Sequence, residues 1–272
     1  MLYAYPDICR MGLGNKLLVW ARAEAFAADY GARVLKPGFV QFPSIGALLR
    51  GETSLRTNFG NFCFKGAGYI AGVRKWLLKK SMHLIDETAW TSEFKHGIVR
   101  FHGIGNNSFG VVLRHHEHIK NRLKTITNRS MLNEVEKETT EPFIGVHIRR
   151  GDFKQAGVLT PDEWYVTAIL KAIELRSELK CIRVYSDGRP DELRFLDELK
   201  GRLSKRLVVS DFSTPLHDIW CLSKSTIMIG SSRSSFSIWA VLLGQMQSIW
   251  CKENAPRAKD LYFPNTLEPI VL

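Results

Sequence analysis

The sequence predicts an α/β fold in which the C-terminal half forms a doubly wound parallel sheet. From residue 141 onward, short apolar runs rich in β-branched residues alternate with segments of helical periodicity. This alternation is typical of parallel βαβ units, whose strands are buried on both faces. With 272 residues, 45% of them hydrophobic, the chain is long enough for one large domain or two modest ones.

The elements of the C-terminal half follow in a regular order. The first strand is bounded by Pro142 and Gly151, and the first helix opens at the capping box Thr160-Pro161-Asp162-Glu163, with proline at the first helical position. The predicted strands are 143–149, 181–186, 206–210, 226–230 and 247–251. The predicted helices are 160–178, 190–200, 215–224 and 235–244.

The N-terminal half is less regular. The glycine loop at 10–15 precedes a helix that Gly31 ends, so its backbone N–H groups could receive an anion, although a plain turn is the better explanation of the glycines. Residues 37–65 are too rich in turn residues for an assignment. The predicted elements are strands at 2–5 and 32–35 and helices at 16–30, 71–84 and 115–138.

One basic amphipathic segment stands out in this half. Residues 73–80 combine four Lys or Arg side chains with Val73, Trp76, Leu77 and Leu78. Such a segment can rest on an anionic membrane surface, or it can be an ordinary surface helix that packs through Trp76 and Leu77. The ordinary helix is the simpler interpretation.

Charged and hydroxyl side chains follow the C-terminal strands where each strand ends. Because the carboxyl ends of parallel strands meet at one edge of a sheet, we expect these side chains along one rim. The arginines can donate paired hydrogen bonds to phosphate, and the serines precede a helix whose N-terminus can receive one. Ion pairing of the arginines and helix capping by one or two serines are the alternatives. The rim residues are Arg149, Arg150, Asp152, Ser186, Asp187, Asp211, Ser231, Ser232, Ser234 and Ser235.

The formal net charge of +11 favours an anionic partner: nucleic acid, acidic lipid head groups or a phosphorylated substrate. Basic and aromatic residues do not recur together as they do in proteins that stack bases, so no nucleic-acid partner is expected. The five cysteines are unpatterned, which indicates reduced thiols in a reducing compartment. With no leader or spanning segment visible, we expect a cytoplasmic protein, with peripheral contact at the inner face of the cell membrane as a further possibility.

Four stretches of the sequence resemble, in order, the motifs of the alpha-1,2-fucosyltransferase family. Gly12-Leu13-Gly14-Asn15-Lys16-Leu17 is similar to the signature Gly-Leu-Gly-Asn-Gln-Leu. His147-Ile148-Arg149-Arg150-Gly151-Asp152 resembles the His-x-Arg-Arg-x-Asp motif, which alpha-1,6-fucosyltransferases and, distantly, protein O-fucosyltransferases share. Tyr185-Ser186-Asp187 is similar to the third signature, and residues 229–239 resemble the closing block Ser-Asn-Ser-Ser-Phe-Ser-Trp-Trp.

The resemblance implies a GT-B architecture of two Rossmann-like domains, an acceptor-side domain at 1–140 and a GDP-sugar-binding domain at 141–272. It also implies inverting, metal-independent transfer of L-fucose from GDP-fucose, with no cofactor, to a glycan or lipid-linked oligosaccharide acceptor. An alpha-1,2 linkage in bacterial surface polysaccharide synthesis is the expected context.

The resemblance also implies roles for individual residues. Arg149 would be the essential arginine at the β-phosphate, and Arg150 a second diphosphate contact or a structural residue. The other implied substrate-binding residues are His147, Asp187, Ser234 and Ser235 on the nucleotide side and Gly14 and Asn15 across the cleft.

Three positions depart from the family pattern. Lys16 replaces Gln, Gly188 replaces a second Asp, and Ile238 replaces the first Trp of the closing pair. The first two bear on nucleotide or acceptor specificity, so a transferase of the same fold with another GDP-sugar is one alternative. A non-catalytic basic module that binds acidic polysaccharide, lipid or nucleic acid is the other.

Sugar transfer from a nucleotide leaves negative charge on the diphosphate, which enzymes stabilise with a divalent metal or with fixed cations and dipoles. No Asp-x-Asp occurs in the sequence. Arg149 and the serine-rich helix start are therefore the predicted stabilisers. Asp152 is the candidate catalytic carboxylate, but the residues alone do not distinguish it from Asp187 as a general base.

Overall fold

The computed structural model describes residues 1–9, 11–39, 60–103, 108–210, 214–252 and 268–272, apart from the side chains of Ser108, Asp152 and Gln155. The chain divides into two compact units, Met1–Arg129 and Ser130–Leu272. The sequence placed the boundary at 140/141. The difference is one helix, which ends in Glu138 and belongs to the second unit because Tyr185 donates a 2.9 Å hydrogen bond to that carboxylate.

The first unit is built on a parallel sheet with strand order β2-β1-β4-β3. Its strands are β1 (Leu2–Pro6), β2 (Arg33–Val34), β3 (Leu84–Asp86) and β4 (Gly97–Phe101). Its helices are α1 (Leu13–Tyr30), α2 (Gly72–Ser81), α3 (Ser108–Arg114) and α4 (His116–Ile126). Helix α1 packs on the sheet because Val19, Ala23 and Phe26 share one face and meet Ala4 and Val99 in the core.

This unit differs from the prediction at several elements. Strands β3 and β4 and helix α3 were not predicted, and α1 begins at Leu13 instead of Lys16. Gly14 and Asn15 therefore lie in the first turn of a helix and not in a loop before it. The predicted helix at 115–138 is two helices, α4 and Arg129–Glu138 of the second unit.

The second unit contains a six-stranded parallel sheet with strand order β10-β9-β8-β5-β6-β7. Its strands are β5 (Phe143–Ile148), β6 (Cys181–Ser186), β7 (Arg206–Val209), β8 (Ile227–Ile229), β9 (Gln247–Trp250) and β10 (Ile270–Val271). Its helices are α5 (Arg129–Glu138), α6 (Gly151–Gln155), α7 (Asp162–Leu175), α8 (Phe195–Arg202), α9 (Pro215–Leu222) and α10 (Ser235–Gly244), with a 3-10 turn at Pro190–Leu193.

The α/β class and the parallel sheet of this half are confirmed. Helix α6 and strand β10 were not predicted, and the predicted helix at 190–200 is a 3-10 turn followed by α8. The main core lies on one face of the sheet, where α7 and α8 cover the apolar residues of β5 and β6.

The strand order reverses beside β5. From β5 the chain adds β6 and β7 on one side, and then returns to add β8, β9 and β10 on the other. In open α/β sheets, ligands bind beyond the carboxyl ends of the strands at such a switch point. The gap between the ends of β5 and β8 is therefore where a site is expected.

In the described part of the chain, no helix is both long and apolar enough to cross a membrane.

Candidate functional site

A hydrogen-bond network joins the end of β5 to the loop that follows β8. The backbone N–H of Arg149 donates to Ser231 Oγ at 3.1 Å, and Ser231 Oγ lies 2.7 Å from the hydroxyl of Tyr165 on α7. The backbone N–H of Ser231 donates to Ser237 Oγ at 3.1 Å. Ser231, Ser237 and Tyr165 are fully buried. The loop is thereby fixed against the strand that carries Arg149.

The side chain of Arg149 is partly exposed and paired with Asp187. Its Nη1 lies 2.5 Å from Asp187 Oδ2, and 24% of the arginine side chain is accessible. The guanidinium also lies 5.5 Å from the ring centroid of Phe153. Asp187 is itself anchored, since its Oδ1 accepts a 2.7 Å hydrogen bond from the backbone N–H of Arg150. The structure thus holds one accessible guanidinium in a defined direction at the switch point.

Gly151 makes room for that carboxylate. A Cβ at Gly151 would lie 3.2 Å from Asp187 Cγ and closer still to Oδ2. The glycine of the His-x-Arg-Arg-Gly-Asp stretch is needed here for close approach.

Arg150 points elsewhere and is buried, with 4% of the residue exposed. Its Nη1 donates to the carbonyl of Thr160 at 3.1 Å and its Nη2 pairs with Asp162, so it anchors the start of α7. Of the two roles implied for Arg150, these contacts are those of a structural residue. Gly188 lies close to this arginine: a Cβ there would lie 2.7 Å from Arg150 Cγ.

His147 lies beneath the start of α10. Its Nδ1 is 2.7 Å from Ser237 Oγ, and its ring stacks on that of Phe236 with the centroids 4.5 Å apart. Burial, together with the positive charge of Arg149, lowers the pKa of His147 to about 3. The imidazole is therefore neutral at physiological pH and positions the helix start; it does not supply a charge to an anion.

Ser234 and Ser235 form the start of α10. Ser234 is the N-cap, and its Oγ accepts a hydrogen bond from the backbone N–H of Ser237 at 3.4 Å. Within the described residues, the backbone N–H groups of Ser235 and Phe236 and the hydroxyl of Ser235 have no hydrogen-bond partner. Arg233 precedes the cap with a left-handed φ of 55°. Helix-start amides are therefore available beside the end of β5.

The other predicted site residues are placed as follows. Asp152 lies in the first turn of α6, but its side chain is outside the described part, as is the whole of Asp211. Gly14 and Asn15 lie in the first unit, where Gly14 is buried and Asn15 half-buried. The side chain of Asn15 has no hydrogen-bond partner among the described residues.

One group among the described residues brings metal-ligand types together: Glu138, His217 and Cys221, on α5 and α9. Cys221 Sγ lies 3.6 and 3.7 Å from the two imidazole nitrogens, so it faces the ring rather than one nitrogen. Burial lowers the pKa of His217, but the hydrogen bond with Asp218 and the charge of Glu138 outweigh it and raise that pKa. Tyr185 also donates to Glu138, so the three side chains belong to a packed polar cluster.

Sequence reasoning missed the residues that position the site. Ser231 was recognised on the rim but not as the link between β5 and β8, and Tyr165 and Ser237 were not recognised. Tyr165 lies in the middle of an amphipathic helix, where only its phenolic hydroxyl distinguished it from a core aromatic residue.

The model of the family described as Glycosyl transferase family 11 matches residues 71–259. The chain belongs to glycosyl transferase family 11. The match includes the whole switch-point site, from His147 to Ser237, and the prediction of a sugar-transferring enzyme is confirmed. No curated protein sequence matches this family 11 member.

Solved structures share its fold. A structure of POFUT1 in complex with GDP is 13% identical, with a TM-score of 0.55 over 92% of this chain and 97% of that one. NodZ alpha-1,6-fucosyltransferase soaked with GDP-fucose is 14% identical, with a TM-score of 0.54 over 89% and 92%. A mutant of Arabidopsis thaliana FUT1 in complex with GDP is 14% identical, with a TM-score of 0.55 over 91% and 69%. These similarities show the fold, and the predicted GT-B-like class is confirmed.

Proposed function

We propose that this family 11 glycosyltransferase transfers L-fucose from GDP-fucose to a hydroxyl of a glycan acceptor, with inversion and without a metal ion. One observation carries the proposal: an accessible arginine, Arg149, lies at the topological switch point beside the open start of α10. Neighbours of the same fold are described as complexes with GDP or GDP-fucose. A nucleotide diphosphate is the anion that fits such a site.

In the proposed reaction, negative charge develops on the departing diphosphate. As the bond between the anomeric carbon and phosphate breaks, its electron pair moves to the diphosphate and the sugar becomes oxocarbenium-like. The fork of Arg149 and the amides of Ser235 and Phe236 supply donors that need little reorganisation, because Asp187 and Ser231 already hold their positions. The acceptor hydroxyl loses its proton as it attacks, and Asp152 is the carboxylate proposed to assist it.

The finer assignments rest on the family resemblance. We propose an alpha-1,2 linkage, formed on a glycan or lipid-linked oligosaccharide of a bacterial surface polysaccharide. The proposed location is the cytoplasm, at the inner face of the cell membrane. Nucleic acid is not a proposed partner.

A second donor is kept as an alternative because of Lys16 and Gly188. Lys16 is 1% exposed, in the first turn of α1, where the family pattern has Gln. Gly188 removes a carboxylate that the family pattern places after Asp187. Another GDP-sugar, such as GDP-mannose, is therefore the alternative donor.

A donor hydrolysis assay tests the proposal. The enzyme, without acceptor and in EDTA, is incubated separately with GDP-fucose and GDP-mannose, and sugar release is measured. We expect slow release of fucose that EDTA does not change. Release of mannose alone would establish the second donor. If neither sugar is released, and if the protein binds polyanions in a salt-dependent way that GDP does not inhibit, only the non-catalytic alternative is left.

A further inference from the structure

Helix α2 meets the rest of the first unit through Leu78 and two of its lysines. Lys75 Nζ and Lys79 Nζ lie 5.1 and 4.1 Å from the ring centroid of Tyr5. Lys75 Nζ donates to the carbonyl of Lys36 at 2.6 Å, and Lys79 Nζ donates to the hydroxyl of Tyr5 at 2.9 Å. Leu78 lies on the same side and packs against the core cluster that contains Tyr5, so one leucine and two lysines face inward.

Three other apolar residues of α2 face outward. Val73, Trp76 and Leu77 are 73%, 59% and 52% exposed, and no residue of the helix is buried. They are spaced i, i+3 and i+4, so they form one contiguous strip, which we call the apolar strip. The sequence-based interpretation that the helix packs through Trp76 and Leu77 is therefore wrong. A tryptophan exposed within such a strip indicates an interaction surface.

Charge indicates what covers the apolar strip. Residues 60–85 contain five Lys or Arg and no Asp or Glu. Arg74 and Lys80 are exposed on α2 at the border of the strip. Apolar residues with a tryptophan, bordered by cations on a surface helix, are the features of a helix that lies in the interface of an anionic bilayer. A symmetric pair of copies would instead bring the same cations together.

We propose that the apolar strip of α2 docks on an anionic lipid bilayer, with Trp76 and Leu77 inserted among the head groups and Arg74 and Lys80 on the lipid phosphates. The inference deepens the proposed acceptor class, because docking would bring the enzyme to a lipid-linked acceptor. It concerns the first unit, whereas the proposed sugar transfer depends on the switch point of the second. The two proposals can therefore fail separately.

Flotation of the full chain with vesicles tests the docking. Vesicles of phosphatidylcholine alone are compared with vesicles that also contain phosphatidylglycerol, at low and at high salt. We expect the wild type to float only with the anionic vesicles and to be released by salt. The double variant W76S/L77S and the charge variant R74E/K80E should each bind the anionic vesicles with an affinity at least about tenfold lower.

A matched control is Leu170→Ser, which removes an equally exposed leucine (50%) from α7 of the second unit and should float like the wild type. All variants change exposed side chains, so their thermal unfolding should match that of the wild type. Hydrolysis of GDP-fucose without vesicles should also be unchanged in W76S/L77S. That measurement reports the sugar-transfer proposal independently of docking.

The proposal is overturned if the wild type does not float with anionic vesicles, or if W76S/L77S floats as well as the wild type. It is also overturned if the wild type is a dimer in lipid-free solution that W76S/L77S converts to a monomer, since the strip would then be an interface between two copies.

Discussion

Gly151→Ala tests how the site holds Arg149 without changing a functional side chain. The added Cβ would lie 3.2 Å from Asp187 Cγ and closer to Oδ2, the oxygen that pairs with Arg149. The carboxylate cannot move freely, because its other oxygen accepts the 2.7 Å hydrogen bond from the backbone N–H of Arg150. The substitution must therefore weaken one of these two contacts.

The magnitude follows from what is lost. A hydrogen bond to a charged group contributes about 1.5–3 kcal/mol, and overpacking a filled site costs about 1–3 kcal/mol. We expect the free energy of unfolding to fall by about 1–3 kcal/mol, which lowers the Tm by about 2–4 °C per kcal/mol in a domain of this size. Sugar release should fall about tenfold or more, because Arg149 loses its orientation.

Urea unfolding followed by circular dichroism tests the predicted loss of stability, with Gly201→Ala as the control. Gly201 lies in α8, and a Cβ there would meet no atom within 4 Å. Alanine at Gly201 should raise the free energy of unfolding by about 0.5–1 kcal/mol, as alanine does in an open helix position. Gly151 is also helical, at the start of α6. A stabilised, fully active Gly151→Ala enzyme would refute the close approach of Asp187.

Three further results are expected. Tyr165→Phe should lower the free energy of unfolding by about 1–3 kcal/mol, since it takes a partner from the buried hydroxyl of Ser231; thermal unfolding would show it. His147 has a folded-state pKa of about 3, so as the pH falls below 6.5 the unfolded chain binds a proton that the folded chain does not, and stability declines. Urea titrations should show that the free energy of unfolding falls between pH 7.5 and pH 5 by about 2 kcal/mol less in His147→Gln than in the wild type. Glu24→Gln should cost about 3 kcal/mol in the same assay, because Glu24 is 2% exposed and accepts a 3.0 Å hydrogen bond from Arg122 Nε.

The sequence predicted the second unit well because its strands are apolar runs that alternate with clear helical segments. Strands β3 and β4 escaped prediction because β3 has three residues and ends in Asp86, and β4 carries Arg100. Strand β4 pairs in register with β1 from Leu2 to Pro6, and β3 pairs with β4 from Leu84 to Asp86; both strands depend on these tertiary contacts.

The rim was predictable, but not the direction of its side chains. Arg149 and Arg150 lie beyond the end of β5, so no strand alternation fixes which of them faces a ligand. The structure turns Arg150 toward the carbonyl of Thr160. No local sequence pattern predicts the strand order that places the β8 loop next to Arg149. The same holds for α2, which contacts the core through Leu78 and Tyr5 through Lys79.

The rate of fucose release from GDP-fucose by Arg149→Ala and Arg149→Lys, measured in EDTA, tests the central claim most directly. If Arg149 supplies the charge that the departing diphosphate needs, the alanine variant should lose about 10²–10³-fold in rate or more, at unchanged fold by circular dichroism. The lysine variant, which keeps the charge but not the fork, should recover little of it. An alanine variant as fast as the wild type, or a wild type that EDTA inactivates, would contradict the account.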